Sequence, residues 1–262
     1  MVRDHLIEAG YSSVNGIRMY YERYGDDGNY LVLIHGGGST IETSFGNVIP
    51  VLAKNNKVVA LELQAHGRTE DRDAPERFEQ DAEDVAMLLK NLEIDKASIL
   101  GFSNGGNVAM QMAIRHPELL DRLLLASTFY QKEGLLPGFL EGMSKSTLED
   151  MPEALVNAFL AVNPDRHGLE TMFRKDQERM LSFKDWEDEM LQSIQAPTLI
   201  IHGDQDVILP EHAMKMARLI PDARLMILPA SHGSYFGVAE STPAGDTIVA
   251  LTAAMVNDFL HQ

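Results

Sequence analysis

The sequence predicts an α/β fold built on a mainly parallel sheet. Continuous apolar runs, as expected of strands covered on both faces, alternate with helix-like segments through the first half of the chain. The same rhythm returns after Pro197, and the stretch between the two halves follows a different pattern, which marks an insertion.

The elements follow in order. Residues 11–24 hold Asn15-Gly16 between two runs rich in β-formers, a hairpin signature. Residues 30–34 are a continuous apolar run followed at once by a Gly-rich turn, and residues 57–61 read as the next buried strand. Between 76 and 92, Phe78, Ala82, Val85, Leu89 and Leu92 recur at spacings of 4, 3, 4 and 3, the single buried stripe of a helix. Residues 97–100 are a strand, 104–116 a helix stopped by Pro117, and 123–126 another strand. Strands separated by helices imply right-handed crossovers.

From 129 to 195 there is no convincing strand. Several short helical stretches are broken by Pro137, Pro152 and Pro164, with Met143, Met151, Met172, Met180, Met190 and Trp186 among them. After Pro197 come a strand at 198–201, a helix at 211–220, a strand at 224–228 and a final helix at 246–260. The chain thus divides into an α/β core, 1–128 and 196–262, and a helical insertion, 129–195. Emerging past the carboxyl end of a parallel strand, the insertion overhangs the edge where open sheets bind ligands, and it reads as a cap over an apolar pocket.

Composition narrows the function. Hydrophobic residues at 45% and charged residues at 23% are ordinary globular values, which excludes disordered and fibrous classes. A net charge of −17 repels phosphate backbones and anionic lipid, so neither nucleic acid nor membrane is an expected partner. The expected partner is a small neutral or apolar acyl substrate. The absence of cysteine removes disulfides, zinc–thiolate sites, iron–sulfur clusters and a Cys nucleophile, and it fits a reducing cytosol. The opening Met1-Val-Arg-Asp-His-Leu-Ile-Glu lacks the apolar core of a secretory signal, and no apolar run reaches 18 residues; the expected location is cytoplasmic.

Gly101-Phe-Ser103-Asn-Gly105 fits G-x-S-x-G, a motif of moderate specificity alone. A strand leads in and a helix leads out, as a nucleophile elbow requires, and Gly101, Gly105 and Gly106 relieve the crowding of so tight a turn. A serine hydroxyl needs a base. Of nine histidines, His232 follows the last strand on the same sheet edge as Ser103, whereas His116 precedes a helix-ending Pro and His202 sits in or at the end of a strand. The base needs a carboxylate to fix its tautomer. Asp206, distal in His202-Gly-Asp-Gln-Asp206, is preferred over Asp204, a turn former beside Gly203. The order Ser103…Asp206…His232 satisfies a known rule of chain order. His35-Gly-Gly-Gly38 offers backbone donors for a developing oxyanion, assigned to the N–H groups of Gly37 and Asn104. Phe102, Phe129, Tyr130 and Tyr235 are taken as pocket walls from their nearness in sequence to these residues.

Together with the turn His66-Gly67-Arg68, these motifs resemble the α/β-hydrolase family over residues 11–260. The resemblance implies an eight-stranded, mostly parallel sheet flanked by helices, an inserted helical cap, and an acyl-enzyme mechanism without cofactor. Two features depart from many relatives: Ser231 rather than Gly precedes His232, and the stretch 235–245 is long and rich in small residues. Serine at the elbow disfavours dehalogenase and epoxide hydrolase chemistry, which need a carboxylate there. The leading expectation is a serine hydrolase of carboxylic esters or related acyl compounds. Carbon–carbon bond hydrolysis, haloperoxidase or perhydrolase activity, lyase activity, and a non-catalytic binder of small ligands are the alternatives.

Overall fold

A computed structural model describes residues 5–242 and 244–262. Residues 1–4 of the opening segment, and Pro243 in the stretch after His232, lie outside the described residues. The chain runs β1 (Leu6–Val14), β2 (Ile17–Tyr24), β3 (Asn29–Ile34), α1 (Ile41–Phe45), α2 (Ile49–Leu52), β4 (Asn56–Leu61), α3 (Phe78–Asn91), β5 (Ala97–Phe102), α4 (Asn104–Arg115) and β6 (Leu120–Ala126). It continues with α5 (Phe139–Lys145), α6 (Glu153–Val162), α7 (Arg166–Ser182), α8 (Asp188–Gln192), β7 (Thr198–Gln205), α9 (Pro210–Leu219), β8 (Ala223–Ser231) and α10 (Asp246–Leu260).

The eight described strands form one sheet in the order β1-β2-β4-β3-β5-β6-β7-β8. The hairpin β1–β2 and the β2–β4 pair are antiparallel, and the rest are parallel. Asn15 and Gly16 both take positive φ, 42° and 93°, as a tight two-residue hairpin turn demands. Alternation along β3 splits the core between the two faces. Val32 and Ile34 pack with Val85 and Leu89 of α3 and Val108 of α4, while Leu31 and Leu33 pack with Phe45 of α1, Leu52 of α2 and Val256 of α10. Since β3 and β5 to β8 are parallel, the residues just beyond their carboxyl ends share one edge of the sheet.

Four elements differ from the sequence reading. Helices α1 and α2, five and four residues long, are too short for a periodicity and go unseen in the sequence. Strand β7 runs four residues past its apolar stretch, because Gly203 and Gln205 still pair with Leu228 and Ser231 of β8. Helix α7 has 17 residues where only short stretches were expected. Its buried face includes Lys175 and Arg179 beside Leu169, Met172 and Met180, so the apolar stripe is interrupted by charge. Among the described residues, no helix is long and apolar enough to cross a membrane.

Candidate active site

Ser103 sits on the turn from β5 to α4 with φ 53° and ψ −122°, a region side-chain-bearing residues rarely enter. The Ser103 N–H donates to the Ala126 carbonyl of β6, and the Ser103 carbonyl accepts from the Gly106 N–H, both at 2.8 Å, so the strained residue is held from either side. The flanking glycines are there for space. A Cβ on Gly101 would stand 2.1 Å from the Gly105 carbonyl oxygen, and one on Gly105 would stand 2.1 Å from the Ile34 carbonyl oxygen of β3. Gly105→Ala is therefore expected to lower the melting temperature by roughly 2–12 °C, the range for overpacking a chain of this size. Gly142→Ala, in helix α5 with open space around its Cβ position, should not lower it; equal melting curves for both variants would refute the steric account.

The structure brings Ser103, Asp206 and His232 together. His232 follows β8, and its Nε2 stands 3.1 Å from Ser103 Oγ. Its Nδ1 stands 2.7 Å from Asp206 Oδ1, so Nδ1–H donates to the carboxylate and Nε2 keeps its lone pair for the serine. Asp206 is buried just past β7; its Oδ1 also accepts the Ile208 N–H at 3.2 Å and its Oδ2 accepts the Ser127 hydroxyl. Burial disfavours charge on Asp206, but His232 beside it holds the carboxyl below its ordinary range. Burial also works against the His232 cation, yet Asp206, by charge and hydrogen bond, raises that pKa overall. Asp204 faces elsewhere: its Oδ1 accepts the Ala230 N–H of β8 at 2.9 Å and braces the strand.

Gly37 and Asn104 both border one cavity with Ser103. A Cβ on Gly37 would come within 2.5 Å of Asn104 Nδ2 and 2.9 Å of Asp176 Oδ2, so a side chain there would have to displace the ends of both. His35 holds this loop from below. Its Nδ1–H donates to the Gly36 carbonyl at 2.7 Å, and its Nε2 accepts the Leu63 N–H at 3.0 Å. Burial and the nearby His66 push the His35 pKa down to about 3, so the ring is neutral.

The cavity, about 270 Å³, is walled by helices that lie between β6 and β7: Phe139 and Met143 from α5, Leu155 from α6, Met172, Phe173 and Met180 from α7, with Met151 before α6. The four walls expected from the sequence are elsewhere. Phe102 packs on the His232 ring at 5.0 Å between centroids and supports the imidazole, which is also why a glycine follows it: a Cβ on Gly233 would lie 2.4 Å from the Phe102 ring. Phe129 stacks edge-on against Phe183, and Tyr130 donates its hydroxyl to Asp188 at 2.7 Å. Tyr235 is buried, with its hydroxyl 2.7 Å from Ser127 Oγ. Nearness in sequence failed because these side chains turn into the packing behind the site.

Two polar residues at the site escaped the sequence reading. Ser127, with positive φ, supports Asp206 from the end of β6. Asp176 of α7 borders the cavity, and no motif marks it. Among the described residues, no three His, Asp or Glu side chains converge as a metal site would need.

Comparison with known proteins agrees with the fold. The alpha/beta hydrolase fold family matches residues 29–186, well over half of the chain, and the protein belongs to that family. Serine hydrolase BPHL of Homo sapiens is 28% identical over 241 residues, covering 83% of this chain and 77% of the relative. The 2-hydroxymuconate semialdehyde hydrolase of a Pseudomonas species is 30% identical over 221 residues, covering 75% of this chain and 77% of the relative. Among solved structures, a hydrolase from Pseudomonas aeruginosa superposes with a TM-score of 0.75 at 25% identity, covering 97% of this chain and 99% of that one. The homologues' names and the fold make the protein a hydrolase.

Proposed function

We propose that the protein is a serine hydrolase that cleaves a small neutral carboxylic ester or related acyl compound through an acyl-enzyme, with residues 129–195 as the cap that closes its pocket. The observation that carries the reading is the unbroken relay from Asp206 through His232 to Ser103 at one end of an apolar cavity. His232 Nε2 takes the Ser103 proton as Oγ attacks the carbonyl carbon, and Asp206 stabilises the imidazolium. The N–H groups of Gly37 and Asn104 receive the oxyanion, assisted by the N-terminal end of α4. The carbon–oxygen bond to the leaving group breaks as His232 returns the proton to the alkoxide. Water, deprotonated by the same His232, then attacks the acyl carbon, and the proton returns to Ser103 as the acid leaves.

A second reading, carbon–carbon bond hydrolysis, is favoured by the names of relatives and structural neighbours, which include 2-hydroxymuconate semialdehyde and meta-cleavage product hydrolases. Substrates of the muconate kind are anionic, whereas the described cavity lining offers neither Lys nor Arg to pair with them. That lack supports the neutral acyl compound. The test is a panel of short p-nitrophenyl esters, lactones, thioesters and dienoate ring-fission products. Ester or lactone turnover with covalent labelling of Ser103 by a fluorophosphonate upholds the reading. Turnover of the dienoates alone would move the protein to the second, and neither turnover nor labelling would favour a ligand binder.

The charge state of the base gives a pH test. Only neutral His232 can accept the serine proton, so activity falls as pH drops through its pKa. Because Asp206 raises that pKa, the acid limb of kcat/KM is expected to centre above the free-imidazole value of about 6.5. A midpoint clearly below this value would contradict the Asp206–His232 coupling.

A further inference from the structure

Asp176 is anchored on α7 of the inserted segment, yet its carboxylate lies on the glycine loop of the core. Its Oδ2 accepts the Gly38 N–H at 2.6 Å and stands 3.0 Å from His66 Nε2. The Gly38 nitrogen also stands 3.1 Å from His66 Nε2. The His66 ring faces an acceptor at each nitrogen, the Gln64 carbonyl at Nδ1 and Asp176 at Nε2, so it is an imidazolium and the carboxylate is the acceptor for both N–H groups. Burial opposes that charge, but Asp176 pushes the His66 pKa up to about 9. Arg179, one turn on, pairs with the other oxygen of Asp176 and with Asp81 at 2.8 Å; Glu76 stands 3.5 Å from the same guanidinium. Asp176 is therefore ionised in spite of its burial, held so by Arg179 and His66.

A bare carboxylate beside a site of developing negative charge would oppose the reaction. Here two cations offset it, which frees it to act as a fixed acceptor. By engaging Gly38 N–H, it sets the peptide plane next to Gly37. Lys175, the preceding residue, fixes α7 to the core from the other side, donating to the Asp71 carboxylate at 2.6 Å and to the carbonyls of Arg72 and Ala74.

We infer that Asp176 is a positioning residue, which seats the glycine loop from the inserted helix α7 and so makes the Gly37 oxyanion donor complete only when α7 is docked on the core. The inference rests on the hydrolase reading above for its kinetic consequence, and on the Gly38 contact alone for its structural one.

The experiment compares D176A and D176N with the wild type in the whole chain, using p-nitrophenyl butyrate. Rates are normalised to Ser103 labelled to completion by a fluorophosphonate, so misfolded protein does not count. The expected result for D176A is a fall in kcat of at least tenfold per labelled site, with KM within threefold. D176N, which keeps an acceptor for Gly38 N–H, should lose at least twofold but less than D176A. The Gly38 amide resonance should shift markedly in D176A and less in D176N. Rates per labelled site within twofold of wild type in both variants would overturn the inference. Where D176A does not fold, D176N decides by the same twofold line. Where wild-type Ser103 neither labels nor turns over an ester, the hydrolase reading fails by itself. The Gly38 amide then decides, and an unmoved resonance in D176A, or in D176N where D176A does not fold, overturns the inference.

Discussion

Ser103→Ala is expected to lower kcat by on the order of 10⁵–10⁶-fold, the scale seen when a serine nucleophile is removed from a relay of this type. The argument is local. The substitution removes the one oxygen that His232 Nε2 faces at 3.1 Å, and it leaves no other hydroxyl on the elbow. The fold should barely register the change. Serine already bears the Cβ that makes φ 53° costly, so alanine adds no strain, and the hydroxyl is not itself a strut of the turn. Melting curves of the two proteins should therefore overlay within about 2 °C. Steady-state turnover of the best ester in the panel is the measurement, and a variant rate within tenfold of wild type would remove Ser103 from the mechanism.

The second large effect concerns the acid. Asp206→Asn should cost about 10⁴-fold in kcat, while Asp204→Asn should stay within a few fold. The neutral amide at the first position can present its NH₂ to His232 Nδ1, which drives the ring proton to Nε2 and leaves nothing to accept the serine hydroxyl. The amide that replaces Asp204, by contrast, still offers an oxygen to the Ala230 N–H and leaves β8 in place. Assay of both variants side by side decides it, since the reverse ranking would pass the role to Asp204.

The strands were legible where burial is two-sided. Residues of β3, β4 and β5 are almost all buried, so unbroken apolar runs mark them without reference to the rest of the chain. The elbow was legible because its geometry restricts composition: close backbone approaches leave room for little but glycine at 101 and 105. Asp206 and His232 could be chosen because parallel strands deliver their carboxyl ends to one edge. The cavity wall was not legible. It depends on how α5, α6 and α7 pack over the sheet, a set of long-range contacts with no period of its own. Asp176 was invisible for a related reason. On a helix of mixed charge, an acid that turns inward looks like one that faces water until its partners, His66, Arg179 and the Gly38 N–H, are in place.

The chain has 14 methionines and no cysteine, and four of those methionines, Met143, Met151, Met172 and Met180, wall the cavity. Thioethers take up one oxygen from peroxide to become polar sulfoxides. The soft thioether wall thus makes this cavity a place where oxidative damage would register, with no thiol elsewhere in the chain to intercept it.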